Sequence, residues 1–136
     1  MDLTSTDSIR LTVPATAAAV RIARAGAAGL ATRAGFTYRE VEQLQLAVGE
    51  AAALLTADPD GEGTVALAFD VQPDGLLIDL RVVGSDLGSA EPLASAVPGI
   101  AAAVLDAAVD EWHVHDGGRR VILTKRLSET HEDEDD

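Results

Sequence analysis

Cysteine is absent from this chain. That excludes a disulfide framework and any cysteine-ligated metal site. Aromatic residues are scarce, with two Phe, one Tyr and one Trp. A core therefore has to be built from Ala, Val, Leu and Ile. Basic residues are few: 10 Lys and Arg stand against 23 Asp and Glu, for a formal net charge of −13. Such a chain repels nucleic acid and anionic lipid. No apolar run approaches the length of a membrane span, and the first residues carry no apolar signal-peptide core. Neither spanning nor secretion is expected, and the expected location is the cytoplasm.

What remains is ample for one domain. Of 136 residues, 47% are hydrophobic, enough to build a core. The segment Glu129–Asp136, ETHEDEDD, gathers six acids and one His. It reads as a disordered, solvated tail over 129–136, leaving residues 1–128 as the single domain. Ser8–Val13, SIRLTV, alternates polar and apolar and stops at Pro14, the pattern of a strand with one buried face. Ala15–Ala34 reads as an Ala-rich helix carrying Arg21, Arg24 and Arg33, broken by Gly35. Thr37 and Glu40 form a capping-box pattern for a second helix.

Residues 58–63 read as a loop, Thr64–Val71 as a strand, Gln72–Gly75 as a tight turn and Leu76–Val83 as a second strand. Gly84–Pro98 has no firm periodicity and reads as a long loop, the sort that serves as a lid or is disordered. Gly99–Asp110 reads as an apolar helix, Trp112–His115 as a short strand, and Arg119–Leu127 as the last strand. The order β, α, α, β, β, loop, α, β, β predicts an α/β (α+β) two-layer sandwich. Its sheet is mixed and mostly antiparallel, covered on one face by about three helices.

The stretch Val41–Ala57, VEQLQLAVGEAAALLTA, is the most informative in the sequence. On a helix, Val41, Leu44, Val48, Ala52 and Leu55 fall on one side as a core stripe. Glu50 falls on the opposite side, among Leu46, Ala47, Ala53, Leu54 and Ala57. A helix apolar all round is covered on both sides, so Glu50 is expected to face a pocket or an interface. His113 and His115 share one face of their strand, but no third metal ligand is evident, and they read as surface residues. Trp112 is expected to close the core beside the last helix. Arg119, Arg120, Lys125 and Arg126 are expected to give the last strand a basic outer edge. That edge serves either charge balance or docking of an acidic partner.

Three segments resemble the GHKL (histidine-kinase-like) ATPases, and within them the anti-sigma-factor serine kinases of bacterial partner switching. Leu44–Leu55, LQLAVGEAAALL, is similar to the family's N-box helix. Val109–Glu111 with Gly117–Arg126 is similar to its C-terminal hairpin. Gly99–Leu105 occupies the place of its glycine-rich lid and following helix. The resemblance implies that Glu50 is the N-box acid, the catalytic group that positions or deprotonates the phosphoryl acceptor. The magnesium-binding Asn of the family falls at Leu54, which cannot ligate a hard cation. The adenine-reading box has a slipped counterpart at Asp86 and Gly88. The second glycine box keeps Gly99 and has Ala101 in its other glycine position.

The resemblance thus implies an anti-sigma-factor-like regulator whose ATP-binding boxes have eroded. It would bind a sigma factor or a STAS-domain antagonist and form a homodimer through strand 8–13 and helix 15–34. No metal and no cofactor are expected if the pocket has lapsed, and ATP with Mg if it has not. Two alternatives stay open: an active ATP-dependent protein-serine kinase, and a small-ligand sensor reusing the nucleotide pocket.

Overall fold

Alternation along the strands decides which side of the sheet is covered. The computed structural model describes residues 7–56, 63–84 and 98–128. Its elements are β1 (Asp7–Pro14), α1 (Ala17–Ala34), α2 (Tyr38–Leu55), β2 (Thr64–Gln72), β3 (Gly75–Val83), α3 (Gly99–Ala108), β4 (Glu111–His115) and β5 (Arg120–Arg126). A single 3₁₀ turn, Asp116–Gly118, joins the last two strands. The strand order is β1-β2-β3-β5-β4, and all four pairings are antiparallel.

Register fixes the two faces. Leu11, Leu67, Leu80 and Val121 mark one row of the inner face, and Phe69, Ile78 and Leu123 mark another. These side chains join the helices in one buried cluster. Each fully buried Leu, Ile, Val or Phe in such a cluster contributes about 1.5–3 kcal/mol of transfer free energy. The residues between them, among them Arg10, Ala66, Ala68, Asp79, Arg81 and Ile122, point to the opposite face. All three helices pack on the inner face, as the two-layer reading expected.

Helix α1 turns a stripe of Ala19, Ala23, Ala27 and Ala31 inward, all fully buried. Small side chains there let the helix lie close on the sheet, and both Phe residues, Phe36 and Phe69, fill the core. Thr16 caps α1 by accepting a hydrogen bond from the Ala18 amide, so the helix starts two residues later than its sequence suggests. It ends in a Schellman turn. Gly35 sits at φ 99°, its amide donates to the Thr32 carbonyl, and the Phe36 amide donates to the Ala31 carbonyl.

The capping box of α2 forms as expected. The Glu40 amide donates to Thr37 Oγ1 at 3.1 Å, and the Thr37 amide donates to Glu40 Oε1 at 2.8 Å. Phe36 and Val41, at the two positions of a hydrophobic staple, are both buried.

Two expectations are corrected. β5 is an interior strand, flanked by β3 and β4, so it has no outer edge. Lys125 follows Val121 and Leu123 on the inner face and is buried. The other cations of the strand are tied: Arg120 is paired with Asp79 and Arg126 with Glu111. The calls on residues 58–62, on most of the loop 84–98 and on the tail 129–136 lie outside the described residues. No helix of the described residues is long and apolar enough to cross a membrane.

Candidate functional site

Helix α2 carries the candidate acid. Its core stripe of Val41, Leu44, Val48, Ala52 and Leu55 is buried, as the period of 3.6 requires. Gln43, Ala47, Glu50 and Leu54 line up on another face, within about 60° of one another around the axis. That face borders α3. Lys125 shows this, because its ammonium donates to Gln43 Oε1 at 3.2 Å and to the Ala108 carbonyl at 2.7 Å. Ala47 is fully buried, while Glu50 and Leu54 are half-buried.

The coverage is one-sided, which corrects the expectation of an all-round apolar shell. Leu46 is 52% exposed, and Ala53 is exposed as well. Glu50 thus sits at a seam, with the α3 side covered and the Leu46–Ala53 side open. Among the described residues its carboxylate forms no hydrogen bond or ion pair.

Gly99 opens α3. Pro98 stands at its N-cap without a side-chain hydrogen bond, and the Ala102 amide donates to the Pro98 carbonyl at 3.0 Å. Gly99 is exposed, and nothing lies within 4 Å of where a Cβ would sit. Ala101, at the second glycine position, is buried and helical. Asp86 and Gly88 lie outside the described residues. β3 ends at Val83, where the family's adenine-reading Asp is expected, and Gly84 follows at φ 85°.

Sequence reasoning missed two residues of this region, Gln43 and Lys125. Both were legible. Gln43 stands seven residues before Glu50, two helical turns away on the same face. Lys125 stands two residues after Leu123, in step with the inward positions of β5. Trp112 packs against the core as expected, and its indole Nε1 donates to Asp106 Oδ1 on α3 at 2.7 Å. The His113 and His115 rings lie 6.2 Å apart on the outer face, and both side chains are exposed. Among the described residues, no three His, Cys, Asp or Glu come together as a metal site.

A hollow of about 530 Å³ lies elsewhere, on the outer surface between α1 and α2. Arg21, Arg24, Glu42, Gln45 and Leu46 line it, and it includes neither Glu50 nor Gly99. Gly49 makes room for the Arg24 side chain, because a Cβ there would meet Arg24 Nε at 3.0 Å.

No protein-family model matches the chain. Curated relatives do. The serine-protein kinase RsbW of Listeria monocytogenes serotype 4a (strain HCC23) is 29% identical over 140 residues, spanning 90% of this chain and 89% of the relative. The serine-protein kinase RsbW of Bacillus cereus (strain AH187) is 26% identical over 137 residues, with 89% and 86% covered. That of Bacillus velezensis (strain DSM 23117) is 35% identical over 88 residues, covering 62% of this chain and 52% of the relative. Similarity spread over nearly the whole of both chains matches the resemblance read from the N-box helix and the C-terminal hairpin: the chain is a distant homologue of the RsbW serine-protein kinases.

Proposed function

We propose that this chain is a regulatory binding protein of the anti-sigma-factor type whose kinase chemistry has lapsed. It holds a sigma factor or a STAS-domain antagonist through its surface. The observation that carries the reading is Leu54. It stands one helical turn beyond Glu50 on the same face of α2, where the resembled family has its magnesium-binding Asn. An isobutyl group offers no oxygen to a hard cation. Buried Ala101 in the second glycine box points the same way. These residues do not fit a magnesium–nucleotide complex, and a phosphoryl transfer without the metal leaves the developing charge poorly stabilised.

Release of the partner then comes from competition by another protein. Dimerisation through β1 and α1 is part of the same proposal. It is supported by the position of β1 at the edge of the sheet, with Ile9 39% and Ile22 38% exposed.

A calorimetric titration with ATP and ADP, with and without Mg²⁺, tests the reading. No binding at millimolar nucleotide is expected. Micromolar, Mg-dependent binding overturns it.

The second reading is an active protein-serine kinase, favoured by the names of the relatives and by Glu50 at its half-buried seam. Label transfer from the γ-phosphate to a STAS-domain protein, abolished by Glu50→Gln, would establish it. No transfer by the unmodified protein removes it.

A further inference from the structure

The outer face of the sheet carries no described helix, and it gathers arginines. Four of the chain's ten basic residues stand on it: Arg10, Arg81, Arg120 and Arg126. Facing them are Asp70, Asp79 and Glu111, with Asp74 and Asp110 near Arg126 and Asp116 near Arg120. Asp79 and Glu111 are already held, by Arg120 at 2.6 Å and by Arg126 at 2.7 Å. Arg10 and Arg81 are exposed and form no ion pair among the described residues.

These two arginines flank a hollow of about 280 Å³. Ala66 and Ala68 on β2 form its floor, with Thr12 on one side and Asp79 on the other. The small floor residues create the hollow. Arg10 stands across from Ala68 on β1, and Arg81 stands across from Ala66 on β3. Two unpaired guanidiniums over an alanine floor, beside a hydroxyl, suit a run of carboxylates.

We propose that the occupant is the chain's own acidic segment, Glu129–Asp136, docked across this face onto Arg10 and Arg81. Reach supports it. Arg126 pairs with Gly75, at the β2–β3 turn, and its side chain stands on the outer face. From there the hollow lies about 16–22 Å away by strand spacing and rise. An extended chain covers about 3.3 Å per residue, so at least about five to seven residues beyond Arg126 are needed. Because Leu127 runs on to the Asp74 carbonyl before the chain can turn back, the acids that come level with the hollow are the last of the segment, Glu134–Asp136. Charge supports it too: the segment holds six acids, and an untethered acidic partner would meet a protein of net charge −13. The tether replaces that encounter with a high effective concentration.

The absence of cysteine makes a clean test. Glu134→Cys in the full chain carries a single nitroxide, and amide resonances report its neighbours by paramagnetic broadening. Selective loss of the Thr12, Ala66, Ala68 and Arg81 amides is expected, with the buried amides of α1 unaffected. The loss is relieved by Arg10→Gln with Arg81→Gln, and by 1 M salt, where the screening length is about 3 Å. Unchanged α1 and α2 resonances certify the fold of the variant. No selective broadening, or broadening indifferent to both arginines, overturns the proposal. So does broadening that appears only between labelled and unlabelled molecules in a mixed sample, which assigns the face to a second copy.

Discussion

Lys125 and Ala108 are joined through a buried hydrogen bond: the ammonium on β5 donates to the last carbonyl of α3 at 2.7 Å. A cation at a helix C-terminus meets the negative end of the macrodipole. The same ammonium reaches Gln43, so one side chain ties β5, α3 and α2 together. Lys125→Met leaves the Ala108 carbonyl and the Gln43 amide oxygen without this donor. It is expected to lower the unfolding free energy by about 1–3 kcal/mol. Gln43→Ala is expected to cost less, because the carbonyl keeps its partner. Urea denaturation of the two variants compares them.

Gly75 lies against the end of β5, where a Cβ would come within 2.3 Å of the Lys125 carbonyl oxygen. The obstacle is backbone and cannot swing aside. Gly75→Ala therefore has to part β3 from β5 at the turn. The expected loss is about 1–3 kcal/mol, the scale of overpacking, read as a lowered denaturation midpoint.

The sole Trp reports on α3. Its indole donates to Asp106, and the ring packs on the core. Asp106→Ala removes a partly exposed hydrogen bond, with an expected cost of about 0.5–1.5 kcal/mol. The emission maximum should move to the red as the ring gains water. An unshifted spectrum would mean that packing alone fixes the ring.

Glu111 gives a pH dependence of defined sign. Its hydrogen bond with Arg126, then the charge of that guanidinium, holds its carboxyl below the ordinary Glu range. A carboxyl lowered on folding stabilises the protein above its unfolded value. That contribution disappears as the pH falls through the folded value. Wild type is therefore expected to exceed Glu111→Gln in stability near neutrality and to converge with it in acid. Both groups are solvated, so the difference is small and shrinks with salt. Denaturation midpoints across an acid series measure it.

Leu54→Asn restores one oxygen donor to α2. Alone it is not expected to produce Mg-dependent ATP binding, because Ala101 still occupies the second glycine position and is buried. Calorimetry on this variant separates the two losses. Binding gained by the single substitution would place the whole erosion at residue 54.

Much of the fold was legible because its signals are local. The Thr37–Glu40 pair announces α2, the alternation of TVALAFDV announces β2, and Gly35 ends α1 where the backbone turns left-handed. The start of α1 is less legible, because Pro14 and Thr16 both carry helix-start signals and it is Thr16 that caps the helix. The inward turn of Lys125 was missed because charge outweighed register. Its burial depends on partners 17 and 82 residues away in sequence. The seam at Glu50 was half-read for a similar reason: helical periodicity gives the angle of a side chain, but only the position of α3 says which flank is covered.

The insertion of β5 between β3 and β4 bears on how the chain is made. A ribosome delivers β1, β2 and β3 before β5, and these can pair as a three-stranded antiparallel sheet. Until Arg126 has emerged, the rim of that sheet is β3, GLLIDLRVV, and its inner row of Leu76, Ile78 and Leu80, fully buried in the folded chain, lacks its β5 neighbours. A nascent or truncated chain therefore presents a sticky hydrophobic rim, open to wrong partners. β5, made after all the other described strands, is the one that shields it.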